Sequence, residues 1–184
     1  MKRIQKKISK KAKKIKLLIL DVDGVLTDGS VFIDDDNKEI KAFNIYDGLG
    51  MKMLQRSGVE IAIISGGIAT AVEHRALRLG IKYIFLGQER KLTTFLELKR
   101  KLNLDMEQIA YVGDDIPDFH IMKQVGLSCA VRNSVKEILK IADYITQKDG
   151  GLGAVREVCE LIMYSQGTFK EQMECYNQNQ LSSF

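Results

Sequence analysis

Cysteine is scarce: Cys129, Cys159 and Cys175 are the three in 184 residues, and they stand too far apart for any metal-ligand spacing. That usage points to the cytoplasm rather than an oxidising compartment. No apolar run approaches the length that crosses a bilayer. Leu17–Leu20 is too short for a signal-peptide core and runs straight into aspartates. Proline is nearly missing, with Pro117 alone, and no repeat or linker divides the chain. The basic N-terminus has no aromatic residue among its lysines to stack on bases. Neither nucleic acid nor a membrane is therefore expected as a partner.

What is present is ordinary for a globular protein: 45% apolar and 28% charged residues, enough for one domain with a real core. The net charge of +4 conceals an asymmetry. Nine lysines and arginines and no acid lie in Met1–Lys16, so the rest of the chain carries a net −5. Residues 1–15 read as a basic arm, either a solvated helix or a frayed terminus. An arm that touches nucleic acid or anionic lipid is the alternative, and it requires that removing Met1–Lys14 abolish the main activity. Residues 16–166 read as the folded domain, and 167–184 as a loose polar tail.

The chain is organised around LLILDVDGVLTD, residues 17–28. A short apolar run closed by a glycine turn predicts a buried parallel strand, with Asp21 and Asp23 at its carboxyl end. Similar strands are expected over Glu60–Ile64, Lys82–Leu86 and Gln108–Val112, with edge strands at Leu127–Val131 and Tyr144–Ile145. Helices are expected after Asn44–Gly50 and over Ala69–Leu79, Lys91–Leu102, Ser134–Ile141 and Ala154–Tyr164, with Gly29–Phe43 as a β-hairpin. That alternation predicts an α/β fold, a doubly wound (Rossmann-like) parallel sheet with helices on both faces.

Ligands of such sheets bind beyond the carboxyl ends of the strands. Those ends carry Asp21 and Asp23, then Ser65, then Lys91 at a helix start, then Asp114, Asp115 and Asp118. Taken singly, these are a solvated acidic turn, a turn serine and a surface lysine. Together they offer a carboxylate nucleophile, oxygen ligands for Mg²⁺ and a cation for a phosphoryl group. His74 reads as a surface residue and His120 as a packing residue. GGLG at 150–153 lacks the lysine and hydroxyl of a phosphate loop and reads as a turn.

DVDGVLTDG with the later GDDIPD resembles the motifs of the haloacid dehalogenase-like phosphatases. NIYDGLG between them is similar to the family that hydrolyses 3-deoxy-D-manno-octulosonate 8-phosphate (KDO 8-phosphate) for lipopolysaccharide biosynthesis. The resemblance implies a Mg²⁺-dependent phosphoric monoester hydrolase working through an aspartyl-phosphate. It implies catalytic roles for Asp21, Asp23, Ser65 and Lys91, and Mg²⁺ ligands in Asp21, Asp23, Asp114 and Asp115. Substrate contacts are implied for Asp23, Asn44, Ile45, Tyr46, Asp47, Gly48, Lys52, Gly66, Gly67, Arg75, Lys91 and Asp118. The hairpin would stand in place of a cap domain and meet its counterparts in a homotetramer. The 149–157 region and the tail would approach a neighbour's site, where Arg156 either meets substrate or forms a salt bridge. Tyr46 and Gly67 depart from the family, which has arginine at both positions; phosphatases of nine-carbon sialic-acid-like 9-phosphates also lack the first. A signalling receiver domain is the reading of another class, but its acidic pair ends the first strand and its phosphoacceptor a later one.

Overall fold

The computed structural model describes residues 6–177. Its elements are, in order, α1 (Lys6–Ala12), β1 (Leu17–Leu20), β2 (Phe32–Ile33), β3 (Glu39–Ile40), α2 (Ile45–Arg56), β4 (Glu60–Ile64), α3 (Thr70–Arg78), β5 (Tyr83–Phe85), α4 (Lys91–Lys101) and β6 (Ile109–Gly113). There follow α5 (Phe119–Met122), β7 (Leu127–Ala130), α6 (Lys136–Ile141), β8 (Tyr144–Ile145), α7 (Ala154–Gln166) and α8 (Phe169–Asn177). Six strands form one parallel sheet in the order β5-β4-β1-β6-β7-β8, and β2 and β3 form a separate antiparallel hairpin.

Alternation within each strand divides the core between the two faces of the sheet. Leu18 and Leu20 of β1, Ile61 and Ile63 of β4, and Ala110 and Val112 of β6 face the side covered by α1, α2, α3 and α7. Leu17, Ile19, Ala62, Ile64, Ile109 and Tyr111 face the side covered by α4, α5 and α6. Because both faces are covered, these strands read as continuous apolar runs, which is why the sequence reveals them. β1 pairs with β4 on one side and β6 on the other, so the strand order reverses there. The crevice of a doubly wound sheet opens at such a point, and Asp21 follows β1 directly.

Three expectations are corrected. Leu127–Val131 is not an edge strand, since β7 lies between β6 and β8. The basic arm is neither frayed nor wholly solvated over its described part. Ile8 and Ala12 of α1 and Ile15 beyond it are buried in the core, and Lys11 pairs with Asp143 at 2.5 Å. The tail also continues as structure: Phe169 of α8 stacks on Tyr164, and Gln172 is buried. Residues 1–5 and 178–184, the remainder of the arm and tail, lie outside the described residues.

Candidate active site

The loop after β1 places the first carboxylates. Gly24 takes φ +83°, and a Cβ there would come within 2.1 Å of Asp114 Oδ2. Only glycine allows both the left-handed turn and that close approach of the two acidic loops. A second loop supports this one from behind. Gly151 N donates to Val25 O at 2.9 Å, and a Cβ on Gly150 would sit 1.6 Å from Gly24 O. The 150–153 segment is thus a backbone buttress for the Asp21 loop and starts α7, in line with its reading as a turn.

Asp21, Asp23, Ser65, Gly66, Gly67, Lys91, Asp114 and Asp115 open onto one cleft of about 410 Å³. Lys91, buried at the start of α4, lies 2.8 Å from Asp21 Oδ1 and 2.9 Å from Asp118 Oδ1. Burial works against its charge, but Asp21 and Asp118 outweigh burial and raise its pKa above the ordinary lysine value. Asp118 is fully buried. Its Oδ1 also accepts from Tyr111 Oη at 2.7 Å, and its Oδ2 from Asp114 N at 3.1 Å. It therefore orients Lys91 from beneath, the role its place in the motif implies, and it does not itself line the cleft. Tyr111, hidden in an apolar strand, was not foreseen as part of this network.

The cluster holds more negative charge than Lys91 offsets. Burial, then Asp118, push Asp21 up to about 7; burial, then Asp21, push Asp114 to about 7. Asp114 Oδ1 is buried without a hydrogen-bond partner. Carboxylate oxygens of Asp21, Asp114 and Asp118 lie within 4.8 Å of one another. Asp118 is already engaged on both oxygens, so Asp21 and Asp114 are the pair with capacity for a cation. An all-oxygen donor set of this kind suits Mg²⁺. Asp115 stands outside the cluster, exposed, and its carboxylate accepts from Ile116 N at 2.7 Å.

Ser65, at the end of β4, is buried, and its Oγ accepts from Gly67 N at 3.2 Å. Asp23 is held from the hairpin side by a residue that no motif announced. Lys41 Nζ lies 2.5 Å from Asp23 Oδ1 and 2.5 Å from Glu39 Oε1. Its pKa is raised because those two carboxylates overcome its burial.

Among the described residues, none of 44–48, nor Lys52 or Arg75, lines this cleft. Asn44 caps α2 by accepting from Tyr46 N at 2.8 Å, and its Nδ2 donates to Gly151 O at 3.2 Å. Ile45 and Tyr46 are exposed at the start of α2, and Lys52 is half-buried further along it. Asp47, expected to meet substrate, is instead buried against α7. Its Oδ1 accepts from Arg156 N at 2.7 Å, so it caps that helix. Gly48 is buried against the guanidinium of Arg75, which reaches Asn44 O at 3.4 Å. Arg156 forms the salt bridge, with Glu160 at 2.6 Å. His74 and His120 are exposed, and His120 meets the edge of Phe119.

Residues 83–158 match the model of a family described as haloacid dehalogenase-like hydrolase. The chain is 47% identical over 161 residues to the 3-deoxy-D-manno-octulosonate 8-phosphate phosphatase KdsC of Escherichia coli K12, covering 88% of this chain and 86% of that one. A crystal structure of a probable YrbI family phosphatase from Pseudomonas syringae superposes with TM-score 0.92 at 46% identity, covering 94% and 98%. The phosphatase of Moraxella catarrhalis, crystallised with magnesium, phosphate and KDO, superposes with TM-score 0.90 at 43% identity, covering 92% and 97%.

Proposed function

The chain belongs to the haloacid dehalogenase-like hydrolases, in the family of the 3-deoxy-D-manno-octulosonate 8-phosphate phosphatases, and from that membership we propose that it hydrolyses KDO 8-phosphate to KDO and phosphate with Mg²⁺. KDO is a precursor of lipopolysaccharide. The observation that carries the reading is the meeting of Asp21, Ser65, Lys91 and Asp114, from four separate segments, at the point where the strand order reverses.

Asp21 is the nucleophile. Its carboxylate attacks phosphorus as the bond to the sugar oxygen breaks, giving an aspartyl-phosphate. Asp23 donates the proton to the departing alkoxide, then accepts one from the water that hydrolyses the intermediate. Lys91, fixed by Asp118, and Ser65 bind the phosphoryl oxygens as charge spreads onto them. Asp21 and Asp114, with the Asp23 backbone carbonyl and Asp115 farther out, would hold Mg²⁺, which would supply positive charge to offset that of the phosphate.

Steady-state hydrolysis of KDO 8-phosphate against a nine-carbon sialic-acid-type 9-phosphate tests the substrate. We expect kcat/KM at least about tenfold higher for the former, a gap of roughly 1.4 kcal/mol; equal or inverted values would place Tyr46 and Gly67 as marks of the nine-carbon substrate. The exposed Val31, Phe32, Ile33 and Ile40 of the hairpin make an apolar patch that suits a homotetramer interface. Light scattering that returned a monomer at assay concentration would remove that part of the reading.

Cation binding should depend on pH with a definite sign. Asp21 and Asp114, raised to about 7 without a cation, must lose protons to bind one. Apparent Mg²⁺ affinity should therefore climb between about pH 6 and about pH 8, with proton release seen by calorimetry in buffers of unlike ionisation heat. A carboxyl whose folded pKa exceeds its unfolded value of 3.8 favours the fold only while protonated. The metal-free protein should thus lose stability as pH rises toward 7, and Mg²⁺ should restore it; a flat affinity across this range would contradict the clustered charge.

A further inference from the structure

We infer that Lys41 is the positioning residue for Asp23: the hairpin delivers an ammonium that fixes one carboxylate oxygen of the acid–base and leaves the other facing the cleft. The inference rests on the phosphatase reading and adds to it a residue that touches neither phosphate nor cation.

Period two in an extended strand puts Glu39 and Lys41 on one face of the hairpin's returning arm and Ile40 on the other. Ile40 is exposed, whereas the Lys41 side chain is only 3% exposed. Its Nζ bridges Glu39 Oε1 and Asp23 Oδ1, each at 2.5 Å, across a gap of 18 residues from Asp23. The two carboxylates remain far more open, at 36% and 44%. A buried ammonium beneath two accessible carboxylates works from behind them. It holds Oδ1 of Asp23, while Oδ2 points to the β4 end, where a Cβ on Gly67 would lie 3.2 Å from it. Ser65, the phosphoryl ligand, is two residues from Gly67. Oδ2 is therefore the atom presented to the leaving oxygen, and Oδ1 is the one anchored.

The proton that reaches the sugar alkoxide comes from Asp23 Oδ2, and the water that later attacks the aspartyl-phosphate returns one there. Lys41 keeps its protons throughout. Its contribution is orientation, since a carboxyl free to rotate in a half-open cleft spends less time within reach of the leaving oxygen. Glu39 holds the ammonium from the opposite side, so the anchor is as firm as the hairpin that bears it.

The test uses the full-length Mg²⁺-loaded enzyme and a series of substituted aryl phosphates, which lack a sugar carboxylate and differ in leaving-group pKa. A general acid matters most when the leaving oxygen is a poor one. Lys41→Met should lower kcat/KM on KDO 8-phosphate by roughly 10- to 100-fold, within the range of general acid catalysis. Its log kcat/KM should fall more steeply with leaving-group pKa than that of the wild type, approaching the slope of Asp23→Asn. Lys41→Arg should recover part of the loss. In an Asp23→Asn background, Lys41→Met should change kcat/KM by less than about twofold, because the anchor then has nothing to orient. An unchanged slope, or a full second loss in the double variant, overturns the inference, as does a KM rise with kcat intact, which would make Lys41 a substrate contact. If Lys41→Met does not fold, Lys41→Gln carries the same slope measurement, with Lys41→Arg still the variant that recovers it. A wild type inactive on every phosphate would instead defeat the phosphatase reading itself.

Discussion

Asp21→Asn should eliminate turnover, lowering kcat by about four orders of magnitude or more, the scale seen when a covalent nucleophile is removed. The amide is a poor nucleophile and a weak ligand for a hard cation. Stability should move the other way. Asp21 is buried beside Asp118, and burial first, then that repulsion, raises it to about 7. Replacing it with a neutral side chain removes a charge from an over-negative cluster. The metal-free variant should melt no lower than the metal-free wild type above pH 7, and should gain much less from added Mg²⁺. Two measurements check this: rapid-quench detection of a phosphoenzyme, which should disappear, and thermal unfolding with and without Mg²⁺. A variant that retains a tenth of the wild-type rate would require another nucleophile.

Asp118→Ala should injure both stability and rate without touching substrate. Asp118 accepts from Lys91, Tyr111 Oη and Asp114 N in a fully buried position. Removing it leaves a buried hydroxyl and a backbone amide unpaired and Lys91 held by Asp21 alone. Loss of one partner from a buried ion pair costs about 3–5 kcal/mol, and the surviving Asp21 contact places this case near the lower end. For a chain of this length that is a melting shift of roughly 10 °C. Lys91, no longer pinned, would swing toward Asp21, and kcat should fall by about 100-fold, the penalty of a misplaced binding group. Calorimetry and steady-state rates on the same preparation distinguish this network from a lysine that positions itself.

The parts of the fold legible in the sequence are those where one local pattern has one physical cause. β1, β4 and β6 are apolar on both faces because helices cover both. Asp21, Ser65, Lys91 and Asp114 were legible because each directly follows a strand or opens the helix after it. Tyr111 was not, since a tyrosine within an apolar strand looks like core, and only the folded sheet shows its hydroxyl reaching Asp118. Asp47 entered the reading through the resemblance alone, and no local pattern announces the backbone amide of Arg156 in α7, 109 residues further on, that it accepts from. Lys41 carries no motif because its partner is brought to it by the hairpin folding back over the Asp21 loop. The α8 helix had a faint signal in Phe169, Gln172, Met173 and Tyr176 at helical spacing, diluted by the polar residues between them.

The contact of Gly150 with the Gly24 carbonyl has a consequence for how tolerance to substitution should be interpreted. Position 150 performs no chemistry, yet any side chain there would displace the peptide that aims the nucleophile. In an exhaustive substitution screen scored by survival, it would rank beside Asp21, and a ranking by intolerance alone would mistake masonry for machinery.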